Sequence, residues 1–297
     1  MNYEAFKARI YSMVRDEFGS DTEVTLKPVR KNNGVILDGL TIMPEGKCIA
    51  PTIYINQYYG RYREGLSLNA IVRIILEENK HYSIDFPIDV DEFLKFDNLR
   101  DRIRYRLINY SMNEELLSDV PHEKILDLAK IYYYEIRDSR FPSAFCTIRN
   151  SDTLDWGIGL EELDKTAGAN MLSCEPPRIY TMREMVDLLA DDTQAAREIP
   201  DPVVPMYILT SESRCFGSSA MLYDHVFCEF EGLMEGDLFV LPSSVHEVIV
   251  TPASGGFSGF ELERMVTEIN KECVPEYEVL SNRVYYYDRE NDELRMF

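Results

Sequence analysis

The stretch VTLKPVRKNNGVILDGLTI, residues 24–42, decides the fold of the first part of the chain. It contains two extended runs, 24–31 and 35–42, which are joined by Asn32-Asn33-Gly34. Asn-Gly between extended runs is the strongest short-range indication of a β-hairpin, because both residues tolerate a positive φ. The stretch therefore predicts two antiparallel strands with a tight turn between them.

The segments on both sides of this hairpin predict a small unit of sheet and helix. Upstream, apolar residues at helical spacing from Phe6 to Val14 predict an amphipathic helix that stops at Gly19. Downstream, the run 50–55 predicts a third strand, and the apolar stripe of 68–79 predicts a second helix.

The rest of the chain predicts a larger unit that mixes strands and helices. Thr181-Met-Arg-Glu184 and Ser258-Gly-Phe-Glu261 each place a hydroxyl three residues before a glutamate, which is the pattern of a helix-starting capping box. The expected fold class is α+β, with an N-terminal sheet-and-helix unit (1–110) packed on a larger acidic α+β unit (111–297). The other predicted elements are helices at 159–172, 182–190, 220–233 and 259–272, strands at 126–136, 143–149, 205–210, 237–241 and 245–251, a final hairpin at 283–297, and an exposed connector at 191–204.

Charge is distributed unevenly along the 297 residues. Residues 1–110 hold 16 basic and 16 acidic residues, whereas residues 111–297 hold 15 and 36 and therefore carry the whole net charge of -21. Nucleic-acid binding depends on lysine and arginine displacing the counterions of phosphates. We therefore expect no general nucleic-acid binding, and an acidic surface that resists aggregation.

The cysteines and the apolar runs indicate a cytoplasmic protein. No apolar run approaches the roughly 20 residues that cross a bilayer, and the charged N-terminus lacks the apolar core of a signal peptide, so we expect neither membrane nor targeting segment. The six cysteines are scattered, with no pair closer than thirteen residues, which is typical of neither a zinc site nor a disulfide scaffold. We expect no metal and no cofactor.

Several motifs together resemble a known family. KNNGVILDGLTI, IAPTIYIN, RLINYSMNEELLSDVPH, FGSSAMLYDHV and DLFVLPSSVHEVIV resemble a domain-of-unknown-function family that is abundant in gut clostridial genomes and their mobile elements. The resemblance runs from the KNNG turn to the C-terminus. Residues 120–275 are also similar to a second uncharacterised bacterial family, in which a pair of strands is followed by a helix that begins with Trp-Gly. These resemblances imply an α+β fold and a bacterial cytosolic setting, and they imply no catalytic residue.

The segment Pro-Ser-Ser-Val-His-Glu at 242–247 is the first candidate site, because it places Ser243, Ser244, His246 and Glu247 between two predicted strands. A histidine can act as general base toward a hydroxyl when a carboxylate orients its ring. On a strand, however, His246 and Glu247 point to opposite faces. The segment thus has three interpretations: a catalytic site, a contact for a ligand or partner, and ordinary turn chemistry.

Cys215 and a run of arginines are the other candidates. Cys215 follows an arginine that could lower the pKa of its thiol, and pairing with a histidine would make it a nucleophile. Spacing over Arg100–Arg106 favours a helix; a strand would align its guanidinium groups on one face. In either case Arg102 and Arg106, with Glu247, are candidate ligand-binding residues: the arginines either line an anion-binding groove or pair with acids of the second unit.

No complete catalytic constellation is visible, so the leading hypothesis is a non-enzymatic interaction or regulatory protein of the cytosol, associated with mobile elements. Its partner would be a protein, and its oligomeric state stays open. One alternative is a hydrolase-like enzyme in which Ser243, Ser244 or Cys215 works with His246. The other is an acidic decoy that imitates DNA.

Overall fold

The computed structural model describes residues 1–46, 50–82, 95–136, 144–189 and 204–297, and these residues form two compact units. The first contains the described residues up to Tyr82, and the second contains those from Lys95 onward. The division therefore precedes the predicted boundary at residue 110, because the strand Ile103–Asn109 belongs to a sheet of the second unit.

The first unit is a three-stranded antiparallel sheet with helices. The hairpin is confirmed: Arg30 pairs with Ile36, and the turn residues Asn33 and Gly34 have φ values of 59° and 69°. Both backbones lie in the left-handed region that Asn and Gly tolerate. Its elements are α1 (Tyr3–Asp16), β1 (Thr22–Arg30), β2 (Ile36–Pro44), β3 (Thr52–Tyr54), α2 (Asn56–Arg63) and α3 (Leu68–Tyr82), with the sheet order β1-β2-β3.

The second unit begins with a four-stranded antiparallel sheet. Its long strand β6 pairs with β4 along one edge and with β5 and β7 along the other. The predicted pairing of 126–136 with 143–149 is confirmed by the contacts of β6 and β7. The elements of this part are α4 (Phe96–Leu99), β4 (Ile103–Asn109), α5 (Glu114–Leu117), β5 (His122–Ile125), β6 (Leu128–Glu135) and β7 (Phe145–Thr147).

The prediction of a helix over the arginine run is wrong, because residues 103–109 form the strand β4. Each of these residues pairs with a residue of β6, and six of the seven are buried. Alternating side chains therefore pack on both faces of the sheet, and this pairing outweighs the weak helical preference of the sequence.

A six-stranded antiparallel sheet completes the second unit, in the order β13-β12-β10-β11-β9-β8. The capping boxes begin α8 and α9 as expected, the latter over the predicted residues 259–272. The elements are α6 (Asn150–Trp156), α7 (Leu160–Cys174), β8 (Pro177–Thr181), α8 (Met182–Leu189), β9 (Tyr207–Ser211), β10 (Leu238–Leu241), β11 (Val248–Pro252), α9 (Gly259–Glu272), β12 (Tyr285–Asp288) and β13 (Glu293–Met296).

The helix predicted near 220–233 is replaced by two short 3-10 segments, Gly217–Leu222 and Val226–Phe230. His225 lies between them with a φ of 57°, a left-handed backbone that an α-helix cannot contain. Apolar side chains of both segments are buried against the two sheets, so packing on several sides replaces the single apolar face of a helix.

The α+β class is confirmed by three antiparallel sheets and the helices that accompany them in the described residues. The predicted connector at 191–204 lies outside the described residues except for Val204. Along the described parts of the chain, every helix is too short or too polar to traverse a bilayer.

Candidate functional site

Two arginines of β4 lie on one face of the four-stranded sheet. Because side chains alternate along a strand, Arg104 and Arg106 share one face, and Tyr105 faces α7 on the other. Across the ladder, Arg104 pairs with Tyr133 and Arg106 with Ile131. The strand that replaces the expected helix thus aligns two guanidinium groups on one surface.

Arg104 is a buried cation with two carboxylate partners. Its Nη1 donates to Glu175 Oε1 at 2.6 Å and also to Glu135. Burial acts to lower the pKa of Arg104, but Glu135 and Glu175 outweigh it and hold that pKa above its ordinary value. The ion pairs therefore neutralise the charge that β4 places in the interior at this position.

Arg106 has a different environment. Its guanidinium carbon lies 4.6 Å from the ring centre of Phe216 and 5.1 Å from that of Phe145. Its Nη2 donates to the Thr147 hydroxyl at 3.3 Å, and its buried Nε has no hydrogen-bond acceptor within the described part of the chain. Among the described residues, no carboxylate forms an ion pair with Arg106. Burial lowers the pKa of this guanidinium to about 10.

A strained loop, Ser213–Gly217, carries Phe216 to this place. Arg214 and Phe216 have φ values of 59° and 55°, and residues other than glycine rarely adopt such positive values. Glu175 Oε2 accepts the backbone N–H of Ser213 at 3.1 Å. The carboxylate that neutralises Arg104 thus also holds the loop, and such strain persists only where surrounding contacts enforce it.

Cys215 lies in the same loop, but its environment does not activate it. Burial and the nearby Glu175 raise the pKa of the Cys215 thiol, although Arg106 and Arg104 act in the opposite direction. Because the thiolate is the nucleophilic form, a raised pKa keeps Cys215 protonated at neutral pH.

His246 contacts this loop rather than a nucleophile. Its Nδ1 accepts the backbone N–H of Phe216 at 3.3 Å, and its ring lies nearly parallel to that of Phe216 at 5.9 Å between centres. Its Nε2 faces Glu278 Oε1 at 3.9 Å. In the part of the chain that the structure describes, no hydrogen bond joins the ring to Ser243, Ser244 or Cys215.

The other residues of 242–247 form a turn before β11, so His246 and Glu247 do not lie on the predicted strand. Ser244 Oγ accepts the backbone N–H of His246 at 3.0 Å, and the Ser243 carbonyl accepts that of Leu280 at 2.9 Å. Burial raises the pKa of Glu247, although a hydrogen bond from Ser244 acts to lower it. The Ser244 hydroxyl thus supports the local backbone, and the backbone of Ser243 pairs with a distant segment.

The sequence matches the model of a family of unknown function, DUF5688, over residues 3–289. The chain belongs to this family. The match confirms the family resemblance that the sequence motifs indicated. No curated protein and no solved structure matches the chain.

One further candidate residue of this DUF5688 protein, Arg102, lies outside the cluster around Arg106. Arg102 ends a short 3-10 segment ahead of β4, where its Nε is 4.0 Å from Asp101 Oδ1. Across the described ranges, no three histidine, cysteine or acidic side chains are grouped in a way that could hold a metal ion.

Sequence reasoning missed most of the residues that surround Arg104 and Arg106. Glu135, Phe145, Thr147, Glu175 and Phe216 come from four separate segments of the DUF5688 chain. The alternation Ile-Arg-Tyr-Arg-Leu was a usable signal, because apolar residues at every second position indicate a strand with the arginines on its other face.

Proposed function

We propose that this DUF5688 protein is a non-enzymatic interaction or regulatory protein of the bacterial cytosol, associated with mobile elements. The observation that carries the proposal is the position of the His246 ring. Its Nδ1 accepts a backbone N–H, one face lies along Phe216, and its Nε2 faces Glu278.

General-base catalysis needs an imidazole nitrogen within hydrogen-bond reach of the hydroxyl or thiol that it deprotonates. His246 makes no such contact with the candidate nucleophiles among the described residues. The raised pKa of Cys215 also argues against a thiolate nucleophile. The geometry therefore supports binding over hydrolysis.

The charge of the chain supports a protein as the partner. A net charge of -21 opposes the approach of phosphate backbones. It is compatible with a protein that presents basic residues, since complementary potentials guide association between proteins.

Covalent labelling tests the absence of an assembled nucleophile. At pH 7, a fluorophosphonate probes the serines and iodoacetamide probes the cysteines. Wild type and His246→Gln are compared, and the exposed Cys273 serves as the internal reference for thiol reactivity. We expect no adduct at Ser243 or Ser244, and slower labelling of Cys215 than of Cys273 in both proteins. An adduct at a serine or at Cys215 that forms rapidly and disappears in His246→Gln would establish the hydrolase alternative.

Purification of a tagged chain from its native host tests the interaction directly, with the tag alone as control. We expect one protein to co-purify at a fixed stoichiometry. If the co-purifying protein is a nuclease or a restriction enzyme, the result favours the DNA-mimic alternative. The absence of any stable partner would count against the proposal.

A further inference from the structure

We propose that Arg106, Thr147 and the rings of Phe145 and Phe216 form a binding site for the carboxylate of a small monoanionic organic ligand. This inference rests on the proposed function, since it assumes that the site binds its ligand without a reaction. It adds a small-molecule ligand to the protein partner of the proposed function.

The guanidinium of Arg106 is positioned, but no carboxylate of the described residues pairs with it. Two aromatic rings and one hydroxyl hold it, and its Nε has no acceptor among those residues. Aromatic rings stabilise a cation only modestly, and a hydroxyl accepts one of the five N–H groups that a guanidinium offers. The donor set of Arg106 is therefore largely unused.

Comparison with Arg104 on the same strand shows what is missing. Arg104 also has a buried Nε without an acceptor, but Glu135 and Glu175 neutralise its charge. A charge away from water is costly unless it is paired and hydrogen-bonded. At Arg106 that pair is absent from the described residues, and an anion from a ligand would supply it.

The surroundings favour one negative charge on the ligand. Glu135 and Glu175 both pair with Arg104, so the cluster next to Arg106 carries two negative charges against one positive charge. A dianion such as a phosphate monoester would meet more repulsion from these acids than a carboxylate would. A carboxylate also matches the planar fork of a guanidinium with two parallel hydrogen bonds.

The rings favour an apolar body on the same ligand. Phe145 is 36% exposed, and its ring meets that of Phe216 edge to face with centres 4.9 Å apart. A flat apolar group can pack on the exposed side of Phe145 while its carboxylate reaches Arg106. Arg106 as a whole residue is partly exposed, although its Nε is buried. With a pKa of about 10, it stays charged at neutral pH.

The experiment compares three probes with one phenyl ring on the full chain by calorimetry: benzoate, the isosteric neutral benzamide, and phenyl phosphate. Wild type, Arg106→Met and Arg283→Met are compared; Arg283 is 63% exposed and controls for the lost charge. We expect benzoate to bind wild type and Arg283→Met at least tenfold more tightly than benzamide, and this preference to vanish in Arg106→Met. Nitrogen-detected NMR of the Arg106 Nε–H in wild type gives a second measurement if Arg106→Met does not fold, with a shift expected for benzoate alone.

Equal binding of benzoate and benzamide, or benzoate binding that survives in a folded Arg106→Met, would overturn the inference. Tighter binding of phenyl phosphate than of benzoate would overturn the charge argument and replace the carboxylate by phosphate. These outcomes are independent of the labelling experiment. An unreactive protein that ignores benzoate contradicts this inference alone, whereas an adduct that depends on His246 contradicts the proposed function.

Discussion

Gly217 is the last residue of the strained loop that carries Phe216, and its backbone passes very close to β9 and to the turn of His246. A Cβ atom added here would lie 2.1 Å from Thr210 Oγ1, 2.5 Å from the His246 carbonyl oxygen and 2.6 Å from Ser211 N. Two of these neighbours are backbone atoms of the sheet region and cannot turn aside. The absence of a side chain at Gly217 therefore lets the loop and His246 approach each other.

We expect Gly217→Ala to lower the free energy of unfolding by about 1–3 kcal/mol, the usual cost of overpacking an interior. Gly168→Ala is the matched control: Gly168 lies within α7, where an added Cβ meets nothing within 4 Å. That change should raise stability by about 0.5–1 kcal/mol, because alanine is the better helix former. Urea unfolding of the three proteins measures both values, and equal effects would contradict the close approach at Gly217.

At the scale of the element, α9 shows how a short motif determines where a helix begins. Ser258 Oγ accepts the backbone N–H of Glu261 at 3.3 Å, and the Glu261 carboxylate accepts the N–H of Ser258 at 2.8 Å. These bonds satisfy two amide groups that the first turn leaves without helical partners. The bond from the Ser258 backbone, together with that from its hydroxyl, holds the pKa of Glu261 below its ordinary value.

The lowered pKa gives a pH dependence with a definite sign. A carboxylate whose pKa falls on folding stabilises the protein above its unfolded-state pKa, and this contribution is lost as the pH falls through the folded-state value. We therefore expect the free energy of unfolding of Glu261→Gln to fall less steeply than that of wild type as the pH is lowered. Glu268→Gln, on the same helix but outside the box, is the matched control for the loss of one carboxylate. Identical slopes in all three proteins would show that the box contributes nothing.

At the scale of the whole molecule, each unit has a hydrophobic core of its own. The buried apolar residues of unit one come from α1, the sheet and the later helices, among them Phe6, Ile10, Leu40 and Ile75. Among the described residues, each of the other buried clusters draws only on the second unit. A domain with its own core can in principle fold alone.

We expect a fragment of residues 1–82 to fold independently. Its thermal unfolding should be cooperative, and the fragment should show amide protection of β1 and β2 in hydrogen exchange. Ile10→Ala, which truncates a fully buried side chain, should lower its stability by about 2–5 kcal/mol. Non-cooperative melting of the fragment would mean that the first unit requires the second.

Within the second unit, the two sheets are joined by polar contacts as well as by apolar packing. Asp127, in the turn between β5 and β6, accepts the hydroxyls of Ser281 and Tyr285. Asn109, at the end of β4, donates to the Leu280 carbonyl at 2.9 Å. These partners are more than 150 residues apart in sequence, so no local pattern could indicate them.

The candidate site divides in the same way between local and distant information. Sequence reasoning selected His246, Cys215 and Arg106, which the structure brings to one region. It joined Cys215 and His246 as a nucleophile and its base, and it assigned Arg106 to anion binding or to pairing with acids. It could not see that Phe216 would lie against both His246 and Arg106, or that Glu175 would neutralise Arg104.

The sequence by itself determined the α+β class, the KNNG hairpin and the start of α9, because a positive φ at Asn-Gly and the bonds of a capping box involve neighbours within four residues. Only the tertiary structure decided that residues 103–109 form a strand, because pairing with β6 and burial on both faces stabilise it more than local propensity does. That decision also placed Arg104 and Arg106 on one surface, with a carboxylate partner for the first and none among the described residues for the second.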